Sequence, residues 1–332
     1  MIGVAIIGLG NALAPHAKSL LDLKDRARVV WAAATSTART QSVAERYGFP
    51  TTTDSAQAIN DPAVDAVLIL APPNVHLTIA EAAFAAGKHV LCEKPLETTF
   101  TRGERLVAAG RRANKRLGIM LQMRFRPASQ RLKQILQARE LGDVQAASMS
   151  VPWWRPQSYY NEPGRGTRAR DGGGLLITQA IHTLDLFRWF VGISKVDAAQ
   201  VCTTALHQME TEDYAAALVR LGNGAPGTVM GTVAAYPGSS EWVQIVGTRG
   251  TAWLTGANLR VNWLDGREVV LNDDSGSGSG ANLMGFSHEP HKAVWADFLD
   301  AVDADRDPAI PGEEALATQR VIEDILAVGA DR

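Results

Sequence analysis

Cysteine is nearly absent: Cys92 and Cys202 are the only two in 332 residues. Neither has a C-x-x-C or metal-type spacing, so a disulfide scaffold is not implied, no metal site is expected, and a reducing compartment is. Charge of one sign has no excess, with 33 Lys and Arg against 35 Asp and Glu. That argues against nucleic acid or an anionic membrane as main partner, since both demand a basic surplus. Long apolar runs are missing too, none approaching the ~20 residues that span a bilayer. The start "MIGVAIIGLG" has no basic n-region, and a cytoplasmic location is expected. What fits is a small-molecule ligand, held by a chain too long for one core and therefore expected to form two domains.

In the first third, short apolar runs ("GVAIIG", "ARVVWAAA", "DAVLILA", "KHVLCE", "RLGIMLQ") alternate with amphipathic segments such as "NVHLTIAEAAFAAG". Buried parallel strands read as continuous apolar runs, and crossover helices as amphipathic ones. Residues 1–122 are therefore expected to be a doubly wound α/β dinucleotide-binding domain. In residues 123–332, helical patterns at 127–140 and 174–191 surround a strand at 144–152. Closely spaced runs such as "GTVMGTVAAY", "WVQIVG" and "NLRVNWL" follow, and helical patterns at 290–304 and 313–328 close the chain. Turn signals join these strands, the pattern of an α+β domain with an open, largely antiparallel sheet. The glycine- and serine-rich stretch 273–282 is expected to be a surface loop.

Directly after the first expected strand comes "GLGNALA", residues 8–14. Gly8 allows a tight turn, and Gly10, followed by Asn11 and Ala12, lets backbone approach a pyrophosphate at a helix N-terminus. Leu13 stands where the third fingerprint glycine would be, so a plain turn glycine pair is the alternative. At the end of the second strand an acid would bind the 2′-hydroxyl of NAD. No carboxylate occurs between Val29 and Gln41, while Thr35 and Ser36 offer hydroxyls and Arg39 a phosphate-pairing guanidinium. NADP is favoured over NAD, the alternative for Arg39 being a solvated helix start.

In "KHVLCEKPLETT", residues 88–99, a strand runs into Lys94 and is stopped by Pro95. Residues 65–96, with "APPNVH", "AGKHV" and "EKP", resemble the family of glucose-fructose oxidoreductase, inositol dehydrogenase and MocA-type oxidoreductases. The resemblance continues through "QMRFRP" at 122–127, "GRGTRARDGGGLLITQAIHTLDLFRW" at 164–189 and "GEEAL" at 312–316. It implies a Rossmann domain followed by a substrate domain whose open sheet joins subunits, hence a homodimer or homotetramer. It implies that Ala71, Pro72, Asn74, His76 and Glu93 line the cofactor, and that Lys94 reaches the junction of nicotinamide and substrate across a cis Lys94–Pro95 bond. There an ammonium would stabilise negative charge developing on the reacting oxygen.

The glycines at 172–174 open a helical pattern on which positions 178, 182 and 185 share a face. The resemblance places the general acid/base at His182, whose intrinsic acidity suits proton exchange near neutral pH. Many relatives carry aspartate one turn earlier, where this chain has Thr178 followed by Gln179. A hydroxyl can hold a water or a substrate oxygen, but it cannot relay charge as a carboxylate does. Asp185 is a candidate partner for the histidine or a plain helix-face acid. Arg124, Tyr160 and Arg165 are expected at the substrate, which could then be anionic; subunit contacts are the other use for such arginines. The expected activity is NAD(P)-dependent hydride transfer to or from a secondary alcohol of a sugar-like, sugar-acid or cyclic polyol substrate. The alternative is a dinucleotide-binding regulator of the same fold that does not turn over.

Overall fold

The computed structural model describes residues 1–272 and 287–330; the expected loop at 273–282 lies outside them. The chain divides into two compact units, one of Met1–Gln122 with His288–Ala317, the other of Met123–Ser287 with Thr318–Arg332.

The first unit is built on six parallel strands: β1 (Ile2–Ile7), β2 (Ala27–Ala33), β3 (Thr51–Thr52), β4 (Ala66–Ile69), β5 (His89–Cys92) and β6 (Leu117–Ile119). Their order is β3-β2-β1-β4-β5-β6, all in parallel register. Every residue of β1 and of β4 is buried, which is why these strands read as unbroken apolar runs. Crossover helices start at side-chain caps where the sequence supplies them: Ser36 before Thr37–Tyr47, Asp54 before Ser55–Asn60 and Thr99 before Phe100–Arg112. The strand order reverses between β1 and β4, and a ligand crevice opens at the carboxyl ends of strands at such a point. Helix Glu289–Asp303 packs against helix Leu13–Asp22 of this same unit. It buries Trp295, Phe298 and Leu299 completely, each contributing about 1.5–3 kcal/mol of apolar burial.

The second unit carries eight strands: β7 (Val144–Pro152), β8 (Ile193–Cys202), β9 (Tyr214–Leu221), β10 (Pro226–Thr232), β11 (Trp242–Gly247), β12 (Gly250–Thr255), β13 (Asn258–Trp263) and β14 (Glu268–Leu271). Their order is β14-β13-β12-β11-β7-β10-β9-β8. Only β7 and β10 pair in parallel among these strands; the other pairs are antiparallel. Alternate residues such as Val243, Ile245, Ala252, Leu254, Leu259 and Val261 are buried on one face, against which helices Pro127–Gln137 and Ile181–Val191 pack. The opposite face stays open and presents Trp253 and Leu218, exposed by 39% and 57%. The edge strands β8 and β14 were not among the expected strands. Exposed residues such as Lys195, Asp197 and Glu268 interrupt their apolar alternation, as is usual where an edge must resist pairing with another chain. Among the described residues no helix is long and apolar enough to cross a membrane.

Candidate active site

In the first unit, Gly8 follows β1 with φ +104°, and a Cβ there would lie 2.6 Å from the Ala71 nitrogen beyond β4. Both the torsion and the close approach demand glycine. A Cβ on Gly10 would meet nothing within 4 Å, so the backbone is open there. Helix Leu13–Asp22 starts at Ala12 without a side-chain cap or an acid in its first turn, so its positive end is open to an anion, although the Leu13 N–H is bonded to the Gly10 carbonyl oxygen at 3.1 Å and Pro15 has none. Leu13 is buried, which explains the missing third glycine: this position faces the core. The open glycine, the uncapped helix start and the switch point fit a dinucleotide. Past β2, the Ser36 hydroxyl accepts from the Arg39 N–H at 3.4 Å, so Ser36 serves as helix cap. Thr35 and Arg39 are exposed, and the Arg39 guanidinium makes no ion pair among the described residues.

The end of β5 is tied down on two sides. His76 is buried, with Nε2 2.8 Å from the Ala71 carbonyl oxygen and Nδ1 3.1 and 3.2 Å from those of Pro95 and Leu96. Burial pushes its pKa down, against the pull of those carbonyls. Its place is under the turn, where it joins the loop bearing Pro72 and Asn74 to the Lys94–Pro95 segment. The Lys94–Pro95 bond is cis, and the Lys94 backbone N–H donates to Glu93 Oε2 at 3.0 Å. Glu93 Oε1 lies 2.9 Å from His16 Nε2, and His16 Nδ1 accepts from the Trp295 indole at 3.1 Å. His16 and Trp295 were not among the expected site residues. A histidine one turn past the glycine motif was the available signal.

In the second unit the expected regular helix over 174–191 contains a π-helical turn, Leu176–Ala180, before the α-helix Ile181–Val191. Glu212 explains its start. A Cβ on Gly174 would fall 2.1 Å from the Glu212 carbonyl oxygen, and the Glu212 carboxylate accepts from the N–H groups of Gly174 and Leu176 at 3.2 and 3.0 Å. The Thr178 hydroxyl reaches the Gly174 carbonyl oxygen at 2.5 Å and also contacts Gln179 Oε1. Gln179 Nε2 and Arg165 Nη1 both donate to the Tyr159 hydroxyl, at 3.4 and 2.9 Å. The Arg165 guanidinium lies 4.4 Å over the Tyr159 ring and is bonded to Glu162. Thr178, Gln179 and Arg165 therefore meet in one polar network through Tyr159, which sequence reasoning passed over for its neighbour. Tyr160 is buried edge-on against Tyr159 and His207, at 5.0 and 5.1 Å. Its hydroxyl has no hydrogen-bond partner among the described residues, and burial raises its pKa.

His182 is buried near the start of the α-helix. Arg124 is engaged otherwise than expected: its Nε and Nη2 donate to the two oxygens of Asp185 at 2.6 and 2.7 Å. Thr318 adds a third bond to that carboxylate at 2.8 Å. The pair has 3% and 1% of its side-chain surface exposed, so Asp185 holds Arg124 and is no plain helix-face acid.

Residues 2–121 match the GFO/IDH/MocA family model described as an oxidoreductase family with an NAD-binding Rossmann fold, and residues 129–253 match that family's C-terminal domain. The chain belongs to the GFO/IDH/MocA oxidoreductase family. This family member is 25% identical over 323 residues to the myo-inositol 2-dehydrogenase of Thermotoga maritima, covering 94% of this chain and 91% of that protein. It is 31% identical to the rhizopine catabolism protein MocA of Rhizobium meliloti over 63% of each chain. The WlbA dehydrogenase of Bordetella pertussis, solved in complex with NADH and UDP-GlcNAcA, superposes with a TM-score of 0.85 at 26% identity. That match covers 99% of this GFO/IDH/MocA chain and 97% of the other.

Proposed function

We propose that the protein is an NAD(P)-dependent dehydrogenase moving a hydride between the nicotinamide and a secondary alcohol or ketone on a hydroxyl-rich ring. The observation that carries this reading is the fixed backbone at Lys94, whose N–H is bonded to Glu93, with His76 against the turn from beneath. A lysine at the carboxyl end of a strand next to the switch point would serve there to stabilise an alkoxide. The bound nicotinamide would accept or supply the hydride. Gly8, Gly10, Asn11 and Ala12 would hold the pyrophosphate, Thr35, Ser36 and Arg39 the adenosine ribose, and Ala71, Pro72, Asn74 and Glu93 the nicotinamide half. Lys94 stabilises the charge left on oxygen when the carbinol hydrogen departs, and His182 takes or returns the hydroxyl proton. Thr178 keeps its hydroxyl among polar neighbours and supplies no charge.

Two relatives support a ring substrate, one named for myo-inositol and one crystallised with a nucleotide sugar acid. A neutral polyol comes first for this chain, because the arginines expected to meet an anion already carry carboxylates, Arg124 from Asp185 and Arg165 from Glu162. We also infer NADP use over NAD from the missing acid at the end of β2 and the exposed Arg39, although NADH occupies the Bordetella relative. Subunits are inferred to join through the open sheet face, where Trp242 and Trp253 lie 5.6 Å apart.

The test is a screen of inositols, sugars, sugar acids and nucleotide sugars with both dinucleotides. On the substrate found, Lys94→Ala and His182→Ala should each lower turnover by ~100- to 10,000-fold with dinucleotide affinity little changed. Unchanged turnover in both variants would refute the mechanism. Tight dinucleotide binding with no turnover of any compound would leave the regulator reading in its place.

A further inference from the structure

His16 is fully buried, and its two ring nitrogens are distinguished by their partners. An indole N–H can only donate. The nitrogen facing Trp295 at 3.1 Å, Nδ1, must therefore keep its lone pair, which puts the ring proton on Nε2, 2.9 Å from Glu93 Oε1. The other carboxylate oxygen accepts from the Lys94 backbone at 3.0 Å, so both oxygens of Glu93 are held. Ligand atoms of His16, Glu93 and His291 lie within 4.8 Å of one another, close enough for a metal ion. A proton-bearing Nε2, however, has no lone pair to offer one, and the chain of hydrogen bonds is the arrangement that satisfies Trp295.

We propose that His16, its tautomer set by Trp295, is a positioning residue that keeps Glu93 ionised and aimed, so that a fixed anion orients the ammonium of the adjoining Lys94 through turnover. The proposal rests on the role given to Lys94 above. The groups facing Glu93 are His16, His291 and Lys94, with Cys92, His76 and Glu97 within electrostatic reach. Cys92 stays a thiol because burial raises its pKa, burial pushes the His76 ring down, and Glu97 is paired with Arg102 at 2.6 Å. Burial pushes the Glu93 carboxyl up; the bond from His16 and the neighbouring His291 and Lys94 outweigh it and pull it below glutamate's ordinary value. A carboxylate kept ionised in this way attracts a neighbouring ammonium.

The wild-type protein is tested first, by the 15N shifts of the neutral His16 ring: Nε2 should carry the proton and Nδ1 should be bare. The second measurement is the pH dependence of kcat/KM. The intact enzyme should show no acid limb from Glu93 at any working pH. His16→Leu strands a buried carboxyl without its donor, so its pKa should climb from below to above glutamate's ordinary ~4.3. An acid limb should then appear, with activity lost below that midpoint and kept above it. The limb should vanish again in the double variant His16→Leu/Glu93→Gln. Trp295→Phe, which releases the tautomer, should give the same limb at a smaller shift. A proton on Nδ1, or a His16→Leu profile that overlays the wild type in a protein melting normally, would overturn the proposal. If Lys94→Ala abolishes turnover while these measurements fail, only this inference falls; if Lys94→Ala is silent, the mechanism falls whatever the tautomer.

Discussion

Removing the carboxylate of Asp185 should cost this protein far more in stability than a typical substitution. Arg124 is held by two bonds of 2.6 and 2.7 Å to that one side chain. With only 3% of its side chain exposed, its guanidinium has little access to water that could replace them. The Trp189 ring, 5.3 Å away, offers a π-face but no acceptor oxygen. Breaking a buried ion pair from one side costs about 3–5 kcal/mol, and the bond of the Thr318 hydroxyl to this carboxylate is lost for about 1 kcal/mol more. Asp185→Ala should therefore sit at the upper end of that range. Arg124→Ala should sit nearer 3 kcal/mol, because Asp185 keeps its bond from Thr318 at 2.8 Å and has Arg188 at 3.9 Å. The double variant Arg124→Met/Asp185→Leu removes both charges and fills the volume, so its loss should be well below the sum of the single losses. Urea unfolding followed by tryptophan fluorescence and circular dichroism measures all three, with KM determined alongside. Single variants costing under ~1 kcal/mol, with Arg124→Ala instead raising KM, would show that the arginine serves substrate after all.

Two further outcomes are open to measurement. Arg39→Ala should weaken NADP binding by ~1.5–3 kcal/mol, the worth of a charged hydrogen bond, and leave NAD unaffected; calorimetry showing equal losses, or a wild-type preference for NAD, would mean the end of β2 reads the ribose differently. Trp253→Glu places a charge on the open sheet face without entering the core, and should shift the sedimentation coefficient to that of a monomer at micromolar protein; wild-type protein that is already monomeric would refute that interface.

The local geometry that could be read from the chain belongs to residues of the candidate site whose surroundings are close in sequence. Gly8 is dictated by the torsion of one turn, and Lys94 and Pro95 by the stop of one strand. What escaped depends on partners far along the sequence. Arg124 looked available because nothing near it is acidic; its carboxylate arrives 61 residues later. The pattern over 174–191 is helical throughout, yet Leu176–Ala180 takes the wider π turn beside a carboxylate supplied by residue 212, which no periodicity within the helix encodes. Tyr160 and Tyr159 are alike in sequence, and only packing decides which one enters the polar network with Arg165 and Gln179. Residues 288–317 carry an ordinary amphipathic pattern with no mark of which unit they complete.

That last placement bears on how the protein is made. The six strands of the first unit leave the ribosome within the first 119 residues, but the helix that buries Trp295 and supplies the partner of His16 is 279 positions away from that histidine. At ~5–20 residues per second, synthesis of residues 123–287 holds the sheet and its glycine turn without their cover for roughly ten seconds or more. The packing of the cofactor-binding unit is therefore completed only after the intervening residues of the second unit have been made.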